Sequence, residues 1–318
     1  MLTGCHATID RVEALLDWYA QNSRDLPWRA PGTRPWGVLV SEVMLAQTPV
    51  SRVAPVWLDW MARWPGPAVL ASESPAEAIR AWGRLGYPRR ALRLHETARI
   101  LERDHGGEVP ATYAALRALP GIGDYTAAAV LAFAYRQRAV VLDTNVRRVL
   151  ARHTSGQAAP SPSVSAAERR MAAALLPADP PTASTWSVAV MELGALVCTA
   201  ASPQCAECPI ASDCRWHTLG KPAYAGPKRR AQRFTGTDRQ VRGLLLDVLR
   251  ASSGDVAKTQ LTGVWSDHDQ RERALDSLIA DGLVETAPSD HYRLPIRSPD
   301  QPEPGSLTWA STVGTSSS

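Results

Sequence analysis

Residues Leu119–Thr126 read LPGIGDYT, and the fold is inferred outward from this stretch. Gly121 and Gly123 flank a single apolar residue, which lets the backbone turn tightly. The apolar run Ala127–Ala134 that follows is typical of a helix. The turn therefore presents backbone amide groups at a helix N-terminus, where a phosphate can bind without any reading of base sequence. Taken alone, the stretch is equally compatible with an ordinary turn between helices.

Amphipathic helices are predicted on both sides of this turn. Apolar residues recur at helical spacing in Ala7–Ala20. Similar patterns occupy roughly 36–47, 50–63, 75–82, 89–104, 124–135, 145–153, 165–176 and 183–197. No convincing run of alternating strand residues precedes residue 280. Residues 1–218 are therefore predicted to form an all-α core.

The last third of the chain has a different composition. Residues 219–237 gain Pro, Gly and basic residues, which is typical of a linker. Two helical patterns, 241–249 and 273–279, precede the short runs Leu283–Thr286 and His291–Leu294, which suggest a hairpin. Residues 238–297 are therefore predicted to form a small winged-helix-like unit. The tail 298–318 is rich in Pro, Ser, Gly and Thr and is predicted to be disordered.

Composition limits the class of protein. The 318 residues carry a formal net charge of +4, and 45% of them are hydrophobic. Residues 221–233 hold five positive charges and no negative one, which suits phosphates but is weak evidence alone. No apolar stretch approaches the roughly 20 residues that cross a bilayer, and no signal peptide is recognisable at the N-terminus. A cytoplasmic protein is the simplest expectation.

Four of the five cysteines fall within 17 residues: Cys198, Cys205, Cys208 and Cys214. In a reducing compartment such clustering indicates a metal site rather than disulfides. Four thiolates in one short loop favour a 4Fe–4S cluster. A structural zinc site is the rival, although only Cys205 and Cys208 form the CxxC pair that zinc sites usually repeat.

Asp143 lies in the segment VLDTNVRRVLAR, 18 residues beyond Tyr125. An aspartate in front of a helix is most often an N-cap. Capping does not conflict with catalysis, because a carboxylate near a deoxyribose can stabilise an oxocarbenium-like transition state or form an adduct with the sugar.

The cysteine loop, ELGALVCTAASPQCAECPIASDC, together with the LPGIG turn and Asp143, resembles the endonuclease III and MutY superfamily of helix–hairpin–helix DNA glycosylases. The resemblance implies a two-domain all-α fold with an iron–sulfur cluster loop. A six-helix barrel would span 25–135, and a cluster domain would combine 1–24 with 136–218. In this superfamily the four cysteines hold a 4Fe–4S cluster that is not the hydrolytic catalyst.

The segment Ser41–Thr48, SEVMLAQT, is similar to the MutY motif whose glutamate acts as general acid on adenine. The apolar neighbours of Glu42 would partly desolvate it, raise its pKa and keep a proton available. The resemblance further implies that Asp143 stabilises the sugar cation and that Tyr125 and Asn145 support the network.

Other matches to MutY-like proteins imply contacts with DNA. Arg24, Leu26 and Trp28 would line the adenine pocket, Gln47 would insert into the opened duplex, and Tyr87 would wedge beside the opposing 8-oxoguanine. Gly121 and Gly123 would bind the DNA backbone. The chain departs from the pattern of its relatives at Ala46, Pro88, Thr144 and Val188, and it shows no recognisable Nudix-like domain.

The position of the Schiff-base lysine in bifunctional relatives is occupied by Tyr125, and no lysine precedes Lys221. The predicted function is hydrolytic removal of adenine mispaired with guanine or 8-oxoguanine, by a bacterial nucleoid-associated monomer acting on double-stranded DNA. Two alternatives remain at this point. One is a glycosylase for oxidised pyrimidines, and the other is a redox-sensing DNA-binding regulator that reads DNA with the C-terminal winged helix.

Overall fold

The structure is a computed structural model that describes residues 3–226 and 234–296, with side chains from residue 12 onward. The chain divides into two compact units. Unit 1 comprises residues 1–72 and 81–233, and unit 2 comprises residues 73–80 and 234–318. The predicted disordered tail, 298–318, and the basic residues Lys228, Arg229, Arg230 and Arg233 lie outside the described residues.

The described part of unit 1 contains helices and loops and no β-strand. Its helices, including α5, which begins within unit 2, are α1 (Thr3–Asn22), α2 (Pro35–Leu45), α3 (Val50–Arg63), α4 (Pro67–Ala71), α5 (Pro75–Trp82), α6 (Arg89–His105), α7 (Tyr113–Ala118), α8 (Asp124–Phe133), α9 (Thr144–Ser155), α10 (Ala166–Leu175), α11 (Pro180–Leu196) and α12 (Arg215–Thr218). Short 3-10 helices cover Pro27–Arg29 and Cys205–Glu207. The predicted all-α core is confirmed.

Local sequence explains where these helices begin and end. Pro35 and Pro180 occupy first-turn positions of α2 and α11, where the missing N–H has no helical partner to lose. Gly106 and Gly156 end α6 and α9 in the left-handed conformation. The helices α4, α7 and α12 were not predicted, because four to six residues are too few to show helical periodicity.

Two apolar groups hold unit 1 together. Trp60 packs edge to face against Trp64 and Trp82, with ring centroids 4.8 and 5.6 Å apart, and none of the three is exposed. A second core joins α1, α9 and α11 through residues such as Leu15, Val149 and Leu193. Cys198 and Cys208 of the cysteine loop pack against the second core.

Unit 2 contains α13 (Asp238–Ala251), β1 (Val256–Ala257), α14 (Lys258–Thr262), α15 (His268–Ala280), β2 (Glu285–Ala287) and β3 (His291–Arg293). The strands form one antiparallel sheet in the order β1–β3–β2, with Thr286 opposite Tyr292. The predicted order of helices followed by a hairpin is present. Strand β1 lies before residue 280, where no alternating run was recognised, because two residues are too few to show alternation. Helix α15 begins five residues before the predicted 273.

Unit 2 also holds residues 73–80 from the middle of the chain. Arg80 donates to the Ser252 carbonyl (2.9 Å), Arg250 to the Ile79 carbonyl (3.1 Å), and the Ala76 amide to the Pro295 carbonyl (2.9 Å). The boundaries of the barrel, cluster and linker segments given above stay predictions. No helix in residues 3–226 and 234–296 has the length and apolar character needed to cross a membrane.

Candidate active site

A cavity of about 940 Å³ opens inside unit 1. Its walls come from α2, α8, α9 and α11 and from the segment that follows α1. The cavity brings together eight of the residues predicted from the sequence: Arg24, Leu26, Trp28, Glu42, Gln47, Tyr125, Asp143 and Asn145. Tyr87, Gly121 and Gly123 are not among its lining residues.

Glu42 is the acid in this cavity. Helix α2 is apolar on nearly all sides, so its glutamate is carried into the interior and is only 5% exposed. The Tyr125 hydroxyl donates to Glu42 Oε2 over 2.7 Å. Burial raises the pKa of Glu42 to about 7; the hydrogen bond from Tyr125 opposes this rise and the charge of Asp143 adds to it. Near neutral pH a substantial fraction of Glu42 therefore carries a proton.

Asp143 is both an N-cap and a carboxylate facing the cavity. Its Oδ1 accepts from the Val146 amide (2.6 Å) and its Oδ2 from Asn145 Nδ2 (2.9 Å). Burial raises its pKa, and these donors oppose the rise because they stabilise the charged form. Burial also raises the pKa of Tyr125 well above its usual value, so the tyrosine stays a neutral donor. The site thus pairs a proton-bearing acid with a hydrogen-bonded carboxylate.

A buried ion pair closes one wall, and sequence reasoning missed it. Glu192 has a fully buried side chain and receives a bidentate bond from Arg24, with Nε–Oε1 and Nη2–Oε2 distances of 2.6 and 2.8 Å. Arg29 Nη2 donates to the same carboxylate (2.9 Å). Arg24, predicted to contact the base, therefore directs its guanidinium to Glu192. Arg29 Nη1 is buried and has no protein partner in the described part of the chain, and the positive charge of Arg29 lowers the pKa of Glu42.

Asn145 links the cavity to the cysteine loop. Arg148 donates through Nη2 to Asn145 Oδ1 (2.9 Å) and through Nε to the Cys198 carbonyl (2.7 Å). Helices α9 and α11 cross so closely here that a Cβ added at Gly194 would lie 2.7 Å from the Asn145 Cβ. Only glycine fits at that crossing. Neither the segment around Asn145 nor the cysteine loop indicated this connection in its own sequence.

The four predicted cysteine ligands line one small cavity beside Arg152 and Trp216. Burial raises the pKa of Cys208 to about 11, and the neighbouring thiols add to the rise. Arg152 Nη1 donates to Cys198 Sγ over 3.3 Å. Within the described ranges, no three or more Cys, His, Asp or Glu side chains are close enough together to coordinate one metal ion. The four thiols share this cavity and one sulfur has a cationic donor, although they are not drawn together as a metal-binding group.

The remaining predicted DNA contacts lie outside the cavity lining. Tyr87 is 45% exposed, and its hydroxyl donates to Gln47 Oε1 over 2.9 Å, so the two predicted wedge residues are adjacent. Gly121 has a φ of 75°, which requires glycine, whereas Gly123 is the extended N-cap of α8. Asp124, in the first turn of α8, pairs with Arg117 and Arg169.

Comparisons with known proteins agree with this arrangement. Residues 40–173 match the family described as HhH-GPD superfamily base excision DNA repair protein. The chain is 54% identical over 283 residues to an adenine DNA glycosylase of Mycobacterium tuberculosis (strain CDC 1551 / Oshkosh), covering 88% of this chain and 92% of that protein. It is 55% identical over 288 residues to an adenine DNA glycosylase of Mycolicibacterium smegmatis, covering 90% and 96%. Among solved structures, a thermostable thymine-DNA glycosylase superposes with a TM-score of 0.59 at 25% identity, covering 67% of this chain and 99% of that chain.

Proposed function

This chain belongs to the HhH-GPD superfamily of base excision DNA repair proteins, as an adenine DNA glycosylase, and we propose that it hydrolyses the glycosidic bond of adenine paired with guanine or 8-oxoguanine. The observation that supports the proposal is the Glu42–Tyr125 pair: a buried carboxyl with a raised pKa lines a cavity large enough for a base. Adenine is a poor leaving group until a ring nitrogen is protonated, so its excision needs such an acid.

We propose the following roles in the reaction. Glu42 gives its proton to a ring nitrogen of an adenine turned out of the duplex, and the bond to the sugar then breaks with its electron pair leaving on the base. Asp143 stabilises the positive charge that develops on the sugar. A water molecule adds to the sugar carbon, and the proton that it loses restores Glu42. Tyr125 and Asn145 hold the two carboxyl groups through the hydrogen bonds described above.

Contacts with DNA are assigned to three parts of unit 1. Leu26 and Trp28 line the cavity and are buried, which suits an apolar wall for a base, and Arg24 supports that wall through Glu192. Gln47 and Tyr87 are assigned to the base opposite the target adenine. Gly121 and Gly123, at the start of α8, are assigned to the DNA backbone.

The four cysteines are proposed to hold a 4Fe–4S cluster. The superfamily generally carries one, and the donor set of Cys198, Cys205, Cys208 and Cys214 around one cavity supports it. When bound, the cluster supplies a redox centre and ties the loop together. Arg148 then connects the loop to Asn145. The partner that we propose is double-stranded DNA, bound by a monomer at the bacterial nucleoid.

The test uses end-labelled duplexes that carry A:G, A:8-oxoguanine, A:T or T:G at one position. Product should appear with A:G and A:8-oxoguanine, and strand breaks should appear only after alkali, because Tyr125 occupies the lysine position of bifunctional relatives. Equal cleavage of A:T would remove mismatch specificity from the proposal. Excision of thymine from T:G without excision of adenine would replace it with a pyrimidine glycosylase.

A further inference from the structure

Two loops of unit 1 present side chains from strained backbone positions. Gln47, between α2 and α3, has a φ of 63°, and Tyr87, between α5 and α6, has a φ of 50°. Residues other than glycine rarely adopt such angles, and they persist only where the surrounding structure enforces them. The Tyr87 hydroxyl bonds to Gln47 Oε1, although 40 residues separate the two in sequence. Further contacts are therefore needed to fix the two loops relative to each other.

Arg90, in the first turn of α6, reaches the end of α2. Its Nη1 donates to the carbonyls of Val43, Met44 and Ala46 over 2.8, 3.0 and 2.6 Å. The last carbonyls of a helix have no partner within the helix, so this guanidinium satisfies the end of the helix that carries Glu42. The bonded carbonyls lie directly before Gln47 in the chain.

The other terminal nitrogen of Arg90 reaches both loops. Nη2 donates to Thr48 Oγ1 (3.0 Å), one residue after Gln47, and to the Gly86 carbonyl (3.1 Å), one residue before Tyr87. Thr48 in turn donates to the Leu85 carbonyl over 3.2 Å. A single side chain thus spans the residues on either side of the Gln47–Tyr87 contact.

The guanidinium of Arg90 also faces aromatic rings. Its Cζ lies 5.2 Å from the ring centroid of Tyr87 and 5.2 Å from that of Trp82, within cation–π range. Burial lowers the pKa of Arg90 to about 10, so the side chain stays charged at neutral pH. Within the described part of the chain its Nε is buried without a partner, which leaves the planar fork of Nη1 and Nη2 as the group that makes the contacts.

We propose that Arg90 is a positioning residue that preassembles Gln47 and Tyr87 as a two-residue wedge before DNA arrives. The proposal rests on the function proposed above. It assigns the ordering of the two side chains that enter the opened duplex to a residue that touches neither the base nor the sugar. Preassembly lowers the cost of ordering the two side chains on binding, so it acts on affinity for the mispair. The proton transfer from Glu42 should be little affected.

The test compares Arg90→Lys with Arg99→Lys, a change on the same helix at an arginine paired only with Glu96 in the described contacts. Single-turnover excision of adenine from an A:8-oxoguanine duplex is measured against enzyme concentration. Arg90→Lys keeps the charge but loses the fork, and it should raise the half-saturating concentration about tenfold while the plateau rate stays within about threefold. Arg99→Lys should change neither value.

A Tyr87→Ala background makes the test specific for positioning. There Arg90→Lys should add little to the half-saturating concentration, because the wedge is already lost. Fully additive effects, or a lower plateau with unchanged half-saturation, would overturn the proposal. If Arg90→Lys unfolds, Tyr87→Phe is measured instead. It keeps the ring and removes the hydroxyl that bonds to Gln47, and an unchanged half-saturating concentration would equally overturn the proposal. Failure of the parent enzyme to excise adenine would instead refute the proposed function.

Discussion

At the scale of single residues, the account depends on two carboxyl groups whose surroundings give them different tasks. Glu42 has apolar neighbours and one hydroxyl donor, and burial raises its pKa to about 7. Asp143 is partly buried, but it accepts from a helix amide and from Asn145, which favour its charged form. Environments that separate the pKa values of paired groups are how one site supplies an acid and an anion at the same pH.

The pH dependence of excision follows from these pKa shifts. Glu42 acts in its protonated form, so the single-turnover rate should fall as pH rises above about 7, and it should fall at low pH as Asp143 becomes protonated. The measurement is the plateau rate on an A:G duplex from pH 5 to 9. A rate that stays flat from pH 7 to 9 would show that Glu42 is not the proton source.

The sequence alone singled out Glu42, Tyr125 and Asp143, which line one cavity in the structure, because each lies in a short segment with a recognisable motif. The sequence did not indicate the role of Glu192, because its partners Arg24 and Arg29 precede it by 168 and 163 positions. A glutamate in an apolar helix was visible in the sequence, but nothing local identified its two arginine partners. The role proposed for Arg90 was hidden for a similar reason, since most of its hydrogen-bond partners are backbone carbonyls, which any residue supplies.

At the scale of elements, α11 is tied to the segment before α2 by the Glu192 carboxylate. Burial alone would raise the pKa of Glu192, but hydrogen bonds from Arg24 and Arg29 outweigh it and hold the pKa at about 2. The folded-state pKa thus lies below the ordinary value of 4.5. The ion pair therefore stabilises the fold above that value, and this contribution is lost as pH falls toward 2.

Glu192→Gln should lower the free energy of unfolding by about 3 kcal/mol, because it leaves two arginines facing a buried neutral group. Urea unfolding near pH 7 measures the loss, and Glu96→Gln, at a partly exposed pair on α6, is the control. The difference between parent and Glu192→Gln should shrink as pH falls from about 4.5 toward 2. A difference that does not depend on pH would contradict the assigned role of the charge.

The cysteine loop is the second element with a direct test. Purified protein should contain about four irons per chain, and Cys205→Ser should lose iron and bind duplex DNA more weakly. Cys5→Ser is the matched control, because Cys5 lies far outside the loop in sequence, and it should keep the iron of the parent. Zinc in place of iron, with full activity, would contradict the proposed cluster.

The long helices could be predicted closely because three or more turns make periodicity visible. The limits of α3 and α5 agree with the structure at both ends. Helices of four to six residues and the two-residue strand β1 could not be predicted, since packing with distant residues stabilises them. The association of residues 73–80 with the C-terminal segment was equally hidden, because 73–80 has an ordinary amphipathic pattern.

At the scale of the whole molecule, charge is divided unequally between the two units. Residues 1–72 and 81–233 contain 26 Lys and Arg against 17 Asp and Glu, whereas residues 73–80 and 234–318 contain nine against fourteen. In a helix–turn–helix protein the second helix of the motif binds in the major groove of DNA. In unit 2 that helix would be α15, which follows α14. The exposed face of α15 carries Asp269 and Asp276 beside Arg273, which does not suit a polyanion. This distribution disfavours a regulator that reads DNA with unit 2.

Deletion of residues 238–318 tests this division. Adenine excision should remain measurable, because the cavity is lined by residues before position 196. The melting temperature should fall, because Ala76, Ile79 and Arg80 lose their partners. Affinity for a duplex without a mispair should rise, because an acidic unit is removed. Deletion of 298–318 alone keeps every described contact and is the control. Complete loss of excision by a folded 1–237 chain would contradict the assignment of catalysis to unit 1.

The central claim is that Glu42 supplies the proton for adenine release, and Glu42→Gln tests it most directly. The glutamine keeps the shape of the side chain and removes the proton. Single-turnover excision from an A:G duplex should fall by roughly 10²–10⁴-fold or more, while affinity for the same duplex persists and Glu96→Gln behaves as the parent. A Glu42→Gln enzyme that excises adenine at a near-parental rate would contradict the account.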